Sequence, residues 1–388
     1  MYPIRIINKI NNTIMKFSVS SKALSAQLSA LGRVVSSKNS LAILENFLFE
    51  ISGNTLTLTA SDSETTLTSS IEIIDSVEDG RFTISSKTMQ EALKDIPEQP
   101  ITFEVNASSL EMTIHYQNGK YNLFAQSADD YPLPVALNEE AVSMSIKSDI
   151  LLNSVERTFF AASTDTLRPV MNGIFFDVTP DCVTLVATDG HKLVRCRNYN
   201  TQIGQNASFV LPKKPAQMLK NIFSKDGNDI EVSFDGRNAV FQSENVKMVC
   251  RLIEGRFPNY NAVIPKDNPY TITINRQGLL SALKRVLVFA SEGAMLVKLT
   301  LSVNELMVSG QDVDFSTSAE EHLACAYSGV PMSIGFKGTF LIDILNNLSG
   351  DDVVIELADP SRPGVMVPAE QEGGEDVLML LMPMMLND

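Results

Sequence analysis

Three stretches decide how this chain is read: FSVSSKALSAQLSALGRVV at 17–35, MSIKSDILLNSVERTFFAA at 144–162 and ITINRQGLLSALKRVLVFA at 272–290. Each opens with alternating apolar and polar residues, a strand signal of period two, and then shifts to helical spacing. Leu24, Leu28 and Leu31 in the first match Leu151 and Val155 in the second, and Leu279, Leu283 and Val286 in the third. Steps of four and three put each set on one helix face. The chain is one unit written three times, and that periodicity governs every later inference.

Outward from these stretches the likeness keeps its register. The strand-like runs FLFEIS and TLTLTASD (47–52, 55–62) match IFFDVT and VTLVATD (174–179, 183–189), and ELMVSGQD (305–312) is the counterpart in the third copy. Asp62, Asp189 and Asp312 close the matching runs. A second helical segment follows in each copy, at 86–96, 212–222 and 338–348, with Leu93, Leu219 and Leu345 at one position. Further strands come at 101–105, 230–234 and 353–357, and each copy closes on a proline after an apolar residue: Tyr131-Pro132, Phe257-Pro258 and Met382-Pro383. These limits predict an N-terminal extension at 1–14 and three domains at 15–137, 138–266 and 267–388, each using a strand–helix–strands module twice. Alternating, β-branched-rich strands with short turns predict antiparallel sheets with one buried face, which the helices cover. The fold class is α+β: three repeated domains of antiparallel sheets packed on two helices each.

Composition narrows the functional classes. With 44% hydrophobic and 20% charged residues the 388-residue chain is an ordinary globular protein rather than a disordered one. No apolar run approaches the ~18 residues of a membrane span. Met1 to Ile14 is mildly basic and lacks the apolar core of a secretory signal, so it reads as an upstream start or a frayed extension. Cys182, Cys196, Cys250 and Cys325 form no CxxC, which suits a cytoplasmic chain with incidental thiols. His115, His191 and His322 share no metal-ligand spacing, so neither metal nor other cofactor is expected.

Spread evenly, the net charge of −15 would oppose nucleic acid, whose affinity rests on neutralised phosphates. The charge is uneven, however. Six helical windows (21–38, 86–96, 147–160, 212–225, 275–290 and 339–349) sum to +9 and leave −24 for the remainder. Helices sharing one side of a curved assembly would attract phosphate there while the outside repelled it. Such binding is independent of base sequence and strongly dependent on salt. The bland counterpart is that Lys and Arg favour solvated helix faces in any protein.

The segments LRPVMNGIFFD (167–177), VATDGHKLV (186–194), LIEGRFPNYNAVIP (252–265) and LLMPMMLND (380–388), set in three repeats, resemble the beta subunit of bacterial DNA polymerase III, the DNA sliding clamp family. The likeness runs from Met15 to the C-terminus. It implies the clamp fold and a head-to-tail homodimer, a ring of six domains that encircles duplex DNA with its helices lining the hole. Heterologous contacts of this kind close when their rotation divides a full turn. The resemblance further implies a peptide pocket between the second and third domains. Its matches are Met171, Thr188, Gly190, His191, Lys192 and Leu193, with Pro258 and Val263, and at the end Leu380, Met382, Pro383 and Met384. Replicative polymerase, clamp loader and repair polymerases would dock short motifs there. Lys192 and Met385 replace arginines common in the family, so the pocket is expected to be more apolar. The DNA-contact matches are Lys38, Arg168, Lys213 and Lys214, to which the charge count adds Lys284 and Arg285.

Other classes fit less well. Asp189-Gly190-His191 is foremost a tight-turn signal. The chain lacks a GxSxG nucleophile elbow and a GxxxxGK[ST] phosphate loop, so no enzyme is expected and ring loading would draw ATP hydrolysis from a partner. An extracellular β-rich scaffold is disfavoured by the lysine-rich helices and the missing signal segment. The cluster Met379, Met382, Met384 and Met385 reads as a binding surface rather than core filling.

Overall fold

The computed structural model describes residues 13–36, 39, 41–201 and 203–386. Residues 1–12, most of the expected extension, lie outside the described residues, as does Lys38. The first repeat runs β1 (Ile14–Ser20), α1 (Ser21–Leu31), β2 (Asn46–Ser52), β3 (Thr55–Ser61), β4 (Thr65–Glu72), β5 (Asp75–Ser76), β6 (Gly80–Ser85), α2 (Ser86–Leu93), β7 (Pro100–Asn106), β8 (Glu111–Tyr116) and β9 (Gly119–Phe124). The second runs β10 (Val142–Lys147), α3 (Ser148–Phe159), β11 (Gly173–Val178), β12 (Val183–Thr188), β13 (Lys192–Asn198), β14 (Ala207–Pro212), α4 (Lys213–Ile222), β15 (Asp229–Phe234), β16 (Asn238–Gln242) and β17 (Val246–Arg251). The third runs β18 (Tyr270–Asn275), α5 (Arg276–Val286), β19 (Leu296–Ser302), β20 (Glu305–Asp312), β21 (Thr317–Ala324), β22 (Met332–Lys337), α6 (Gly338–Asn347), β23 (Asp352–Leu357), β24 (Gly364–Pro368) and β25 (Glu375–Leu381).

Helices α1 and α5 begin where strand alternation meets a capping side chain. Ser20 Oγ accepts from Ala23 N at 3.0 Å, and Asn275 Oδ1 accepts from Gly278 N at 2.9 Å. They end sooner than the sequence windows suggest: α1 stops at Leu31 and α4 at Ile222. Arg33 and Lys225 therefore fall outside helices, as does Lys147 just before α3; without these three and Lys38, which lies outside the described residues, the six helices carry a net +5 instead of +9. The asymmetry of charge survives at about half its expected size.

Tertiary contacts divide the chain into two compact units. The first takes the described residues up to Ala141 together with Asn221–Phe223 and Ile230–Arg251. One of its sheets has the order β5-β1-β7-β8-β9, and in the other β15-β16-β17-β4-β3-β2-β6 run consecutively. Phe17 stacks on Phe103 with ring centroids 4.7 Å apart, and Phe49 on Phe82 at 5.2 Å, all four fully buried. Leu24, Leu28 and Leu31 of α1 and Met89 and Leu93 of α2 are buried with them, as the leucine spacing predicts. Strands of different repeats meet in this unit: β17 pairs with β4, Met248 opposite Leu67 and Cys250 opposite Thr65.

The second unit takes Val142–Lys220, Ser224–Asp229 and Leu252 onward. Its larger sheet has the order β14-β11-β12-β13-β25-β24-β23-β18, and its smaller one β21-β20-β19-β22. Here β13 pairs with β25 from Lys192 opposite Leu381 to Asn198 opposite Glu375. Arginines tie down the start of β25: Arg157 of α3 reaches Glu375 at 2.6 Å and Arg195 of β13 reaches Asp376 at 2.7 Å. The contact units cut across the repeats because strand ladders join one repeat to the next.

A further contact recurs in every repeat. After its last strand the chain turns onto the edge strand that precedes the second helix. Gln126 bridges to Thr83, Ile253 N donates to Val210 O at 3.0 Å, and Met384 bridges to Gly335. The aligned aspartates also share one task. Asp62 Oδ1 accepts from Thr65 N at 2.7 Å, Asp189 Oδ1 from Lys192 N at 2.9 Å, and Asp312 Oδ1 from Asp314 N at 3.0 Å, each closing its own hairpin.

Candidate functional site

The tip of the β12–β13 hairpin gathers most of the expected pocket residues. Asp189 Oδ1 accepts from His191 N and Lys192 N, both at 2.9 Å. Thr188 Oγ1 donates to Lys192 O at 2.7 Å and accepts from Gly190 N at 3.1 Å. Gly190 has φ +91°, a conformation that favours glycine, so the Asp-Gly pair is a turn.

Lys192 is only 6% exposed, and its ammonium binds the Asp189 carboxylate while sitting 3.9 Å over the Phe340 ring of α6. Lys337 approaches the same ring at 4.8 Å, so one aromatic face system serves two cations. Burial pushes the Asp189 carboxyl up, but Lys192 and the His191 and Lys192 amides outweigh it and hold the group below the ordinary aspartate range. Burial raises Asp343 on α6, against the pull of Lys192. Burial and then repulsion by Lys192 lower Lys213, against the pull of Asp189. Lys192 therefore does not make the pocket apolar at this position, as its replacement of arginine suggested; it retains a buried ion pair.

Alternation along β13 sends Leu193 to the face opposite Lys192. Leu193 lies opposite Leu380 of β25, and both join Val186, Val210, Phe257 and Tyr260 in a buried cluster. Phe175, Ile253, Ile264 and Leu378 pack on this cluster and remain half-buried. Phe175 stacks on Phe257 at 4.7 Å and meets Tyr260 edge-on at 6.3 Å. The Tyr260 hydroxyl donates to Asp177 Oδ2 at 2.7 Å, and burial with that carboxylate pushes it up to about 12. Pro258 and Val263 are exposed on the same segment. Gly255, at φ +126°, lets this segment pass Val170, whose Cγ1 lies 2.7 Å from where a Cβ would stand. Met171, next to Val170, is buried.

The chain terminus reaches the hairpin through its backbone: Met382 N donates to His191 O and Met384 N to Gly335 O, both at 2.8 Å. Met385 is 91% exposed, and Pro383 and Met384 are half-buried. The expected residues thus fall into two groups, an apolar one around Leu193 and Leu380 and a mixed one around His191, Lys192 and Met382 to Met384. Sequence reasoning missed Phe340, Lys337 and Gly335. Phe340 carries no signal beyond an apolar position on α6, and the glycine none at all.

The candidate DNA contacts are less uniform. Arg168 Nε reaches Asp165 Oδ2 at 3.0 Å and its Nη2 donates to Asp189 O at 3.4 Å, so it sits against the same hairpin tip. Lys213 Nζ donates to Ala162 O at 3.1 Å, and Lys214 follows it at the start of α4. Lys284 is exposed on the last turn of α5. Arg285 forms a two-point ion pair with Glu321 of β21, which neutralises much of its charge locally. Lys220 and Lys225 share Glu156, and Arg276 donates to Gly350 O and Leu345 O. Among the described residues no group of three His, Cys, Asp or Glu side chains is arranged to hold a metal ion. No described helix is long and apolar enough to cross a membrane.

The chain matches the family models for the DNA polymerase III beta subunit: the N-terminal domain over 15–135, the central domain over 145–259 and the C-terminal domain over 261–385. The chain belongs to this family. The beta subunit is the sliding-clamp processivity factor of DNA polymerase III and is not catalytic. The beta sliding clamp of Haemophilus influenzae is 28% identical over 368 residues, 94% of this chain and 99% of that protein. The crystal structure of the sliding clamp from Bartonella birtlesii bound to griselimycin is 27% identical, covers 96% of this chain and 100% of that one, and superposes with a TM-score of 0.88. The clamp from Pseudomonas aeruginosa bound to griselimycin, 24% identical over 96% of this chain and 100% of that one, reaches 0.91 and shares the fold.

The Lys192–Asp189 pair has a pH signature. A carboxyl held below its ordinary pKa contributes stability above that range and loses it as pH falls through the lowered value. Melting temperature measured between about pH 2 and 5 should therefore fall less steeply for Asp189→Asn, which keeps the cap but not the charge. Superimposable acid profiles would remove the ion pair from the stability of the hairpin.

Proposed function

We propose that two copies close head to tail into a cytoplasmic ring of six domains, with limits in each chain at 15–137, 138–266 and 267–388. The ring holds duplex DNA without sequence preference through Lys38, Arg168, Lys213, Lys214, Lys284 and, to a lesser degree, Arg285. Replicative polymerase, clamp loader and repair polymerases dock short peptide motifs on the groove formed by the Thr188–Leu193 hairpin tip and the Leu380–Met384 terminus, with Met171, Pro258 and Val263 at its margin.

One observation carries the reading. β4 and β13 occupy one place in the repeat and β17 and β25 another, and each first-type strand pairs with a second-type strand of the following repeat. Their counterparts β21 and β9 are left as the ends of their sheets. Two copies can satisfy both edges by pairing β21 of one with β9 of the other. The register follows from the seams: Cys250 opposite Thr65 and Leu381 opposite Lys192 put Leu123 opposite Thr317. Lys120 then faces Glu320, opposite charges on directly opposed residues. Apolar residues stand exposed beside both edges, Phe124 at 72% and Phe315 at 80%, with Val288 at 77%.

Two experiments test the surfaces. Lys213→Glu with Lys214→Glu should shorten retention on closed circular DNA and flatten its dependence on salt; an unchanged salt slope would take both lysines off the DNA. Griselimycin is the probe for the groove. Pro383→Ala with Met384→Ala should weaken its binding while leaving the oligomer intact, and undiminished affinity would remove those residues from the groove.

A further inference from the structure

We propose that Gly335 is an empty socket, that Leu386 is the plug that fills it, and that this pair positions the terminal wall of the groove. The inference rests on the groove reading above and concerns how its wall is held.

The argument begins with the contact repeated three times. At the position where the chain turns onto the edge strand, the first repeat has Thr83 and the second Val210, each with a β-branched side chain of its own. The third repeat has glycine. A Cβ on Gly335 would stand 2.8 Å from Leu386 Cδ2, 2.8 Å from Met384 O and 3.0 Å from Leu296 Cδ1. Gly335 is buried in the middle of β22, so the missing side chain does not open onto solvent. Leu386 occupies the space instead, against Leu296 of β19. A side chain belonging to the strand itself has been exchanged for one delivered by the chain terminus.

The consequence is mechanical. Between β25 and Leu386 the terminus is pinned at Met382 N to His191 O and at Met384 N to Gly335 O. The first pin belongs to the hairpin tip. The second relies on close approach of Met384 to β22, which any side chain at 335 would oppose through a backbone oxygen that cannot rotate away. Met382, Pro383 and Met384 lie between or beside these pins. Without the plug the terminus keeps one anchor, and the wall must be ordered anew each time a ligand binds, which weakens binding. Gly335 and Leu386 are positioning residues in this scheme.

The test uses the full-length chain, with hydrogen exchange at the Met384 amide and griselimycin titration read side by side. Gly335→Val should abolish protection of the Met384 amide, weaken griselimycin binding roughly tenfold and leave the solution mass unchanged. Leu386→Ala should do the same more mildly, Leu386→Met should restore near-normal binding, and the double variant should be no weaker than Gly335→Val alone because both act on one pin. Gly335→Ala serves the same cycle if the valine variant folds poorly. Lost protection with unaltered griselimycin affinity overturns the positioning role. Retained protection in Gly335→Val, or additive losses in the double variant, overturns the socket. Failure of the unaltered chain to bind griselimycin at all refutes the groove reading itself, while its Met384 protection still reports whether the plug is seated.

Discussion

Antiparallel pairing between strands of successive repeats is the constraint on which the structure depends. An unpaired strand edge exposes a row of backbone donors and acceptors, which proteins must cover, charge or pair. Here β4 finds β17 and β13 finds β25, so each repeat supplies the edge that the next one needs. The buried phenylalanine stacks and leucine-lined helices stabilise each unit, but the ladders decide what it joins. Their repetition also explains why β9 and β21 stand at the ends of their sheets, flanked by exposed apolar residues.

The same geometry assembles the candidate groove. The β13–β25 ladder brings Leu193 to Leu380 and delivers the terminus to His191. The two faces of β13 then do different chemistry. One joins the buried apolar cluster with Phe257 and Tyr260, on which half-buried Phe175, Ile253, Ile264 and Leu378 pack. The other buries Lys192 between Asp189 and Phe340. Arg168 touches this second group by a hydrogen bond to Asp189 O, and Lys213, bonded to Ala162 O, lies near enough to be repelled by Lys192. Candidate DNA contacts and candidate peptide contacts therefore share one hairpin tip.

Much of this was legible in the sequence, for identifiable reasons. Helix faces could be read from Leu24, Leu28 and Leu31 because their spacing is set by local geometry, and the aligned aspartates could be read as turn residues. What could not be read depends on contacts distant in the chain. Nothing in VKMVC announces that it will lie against TTLTS nearly 180 residues earlier. Charge counting overstated the helical surplus because helix ends fell inside the windows. It also missed partners such as Glu321 of β21 for Arg285 of α5. Phe340 and Gly335 matter through what arrives next to them, and a single residue type carries no record of that. The methionine cluster divides instead: Met379 is a fully buried core residue of β25, against the expectation of a binding surface, whereas Met382 and Met385 are exposed.

Solution mass tests the central claim, the continuation of the ladder from one copy to the next, most directly. Sedimentation equilibrium over a range of concentrations should find a dimer for the unaltered chain. Lys120→Glu should shift it toward monomer, and adding Glu320→Lys should recover the dimer. A monomer at every concentration, or a dimer indifferent to both charges, would contradict the account.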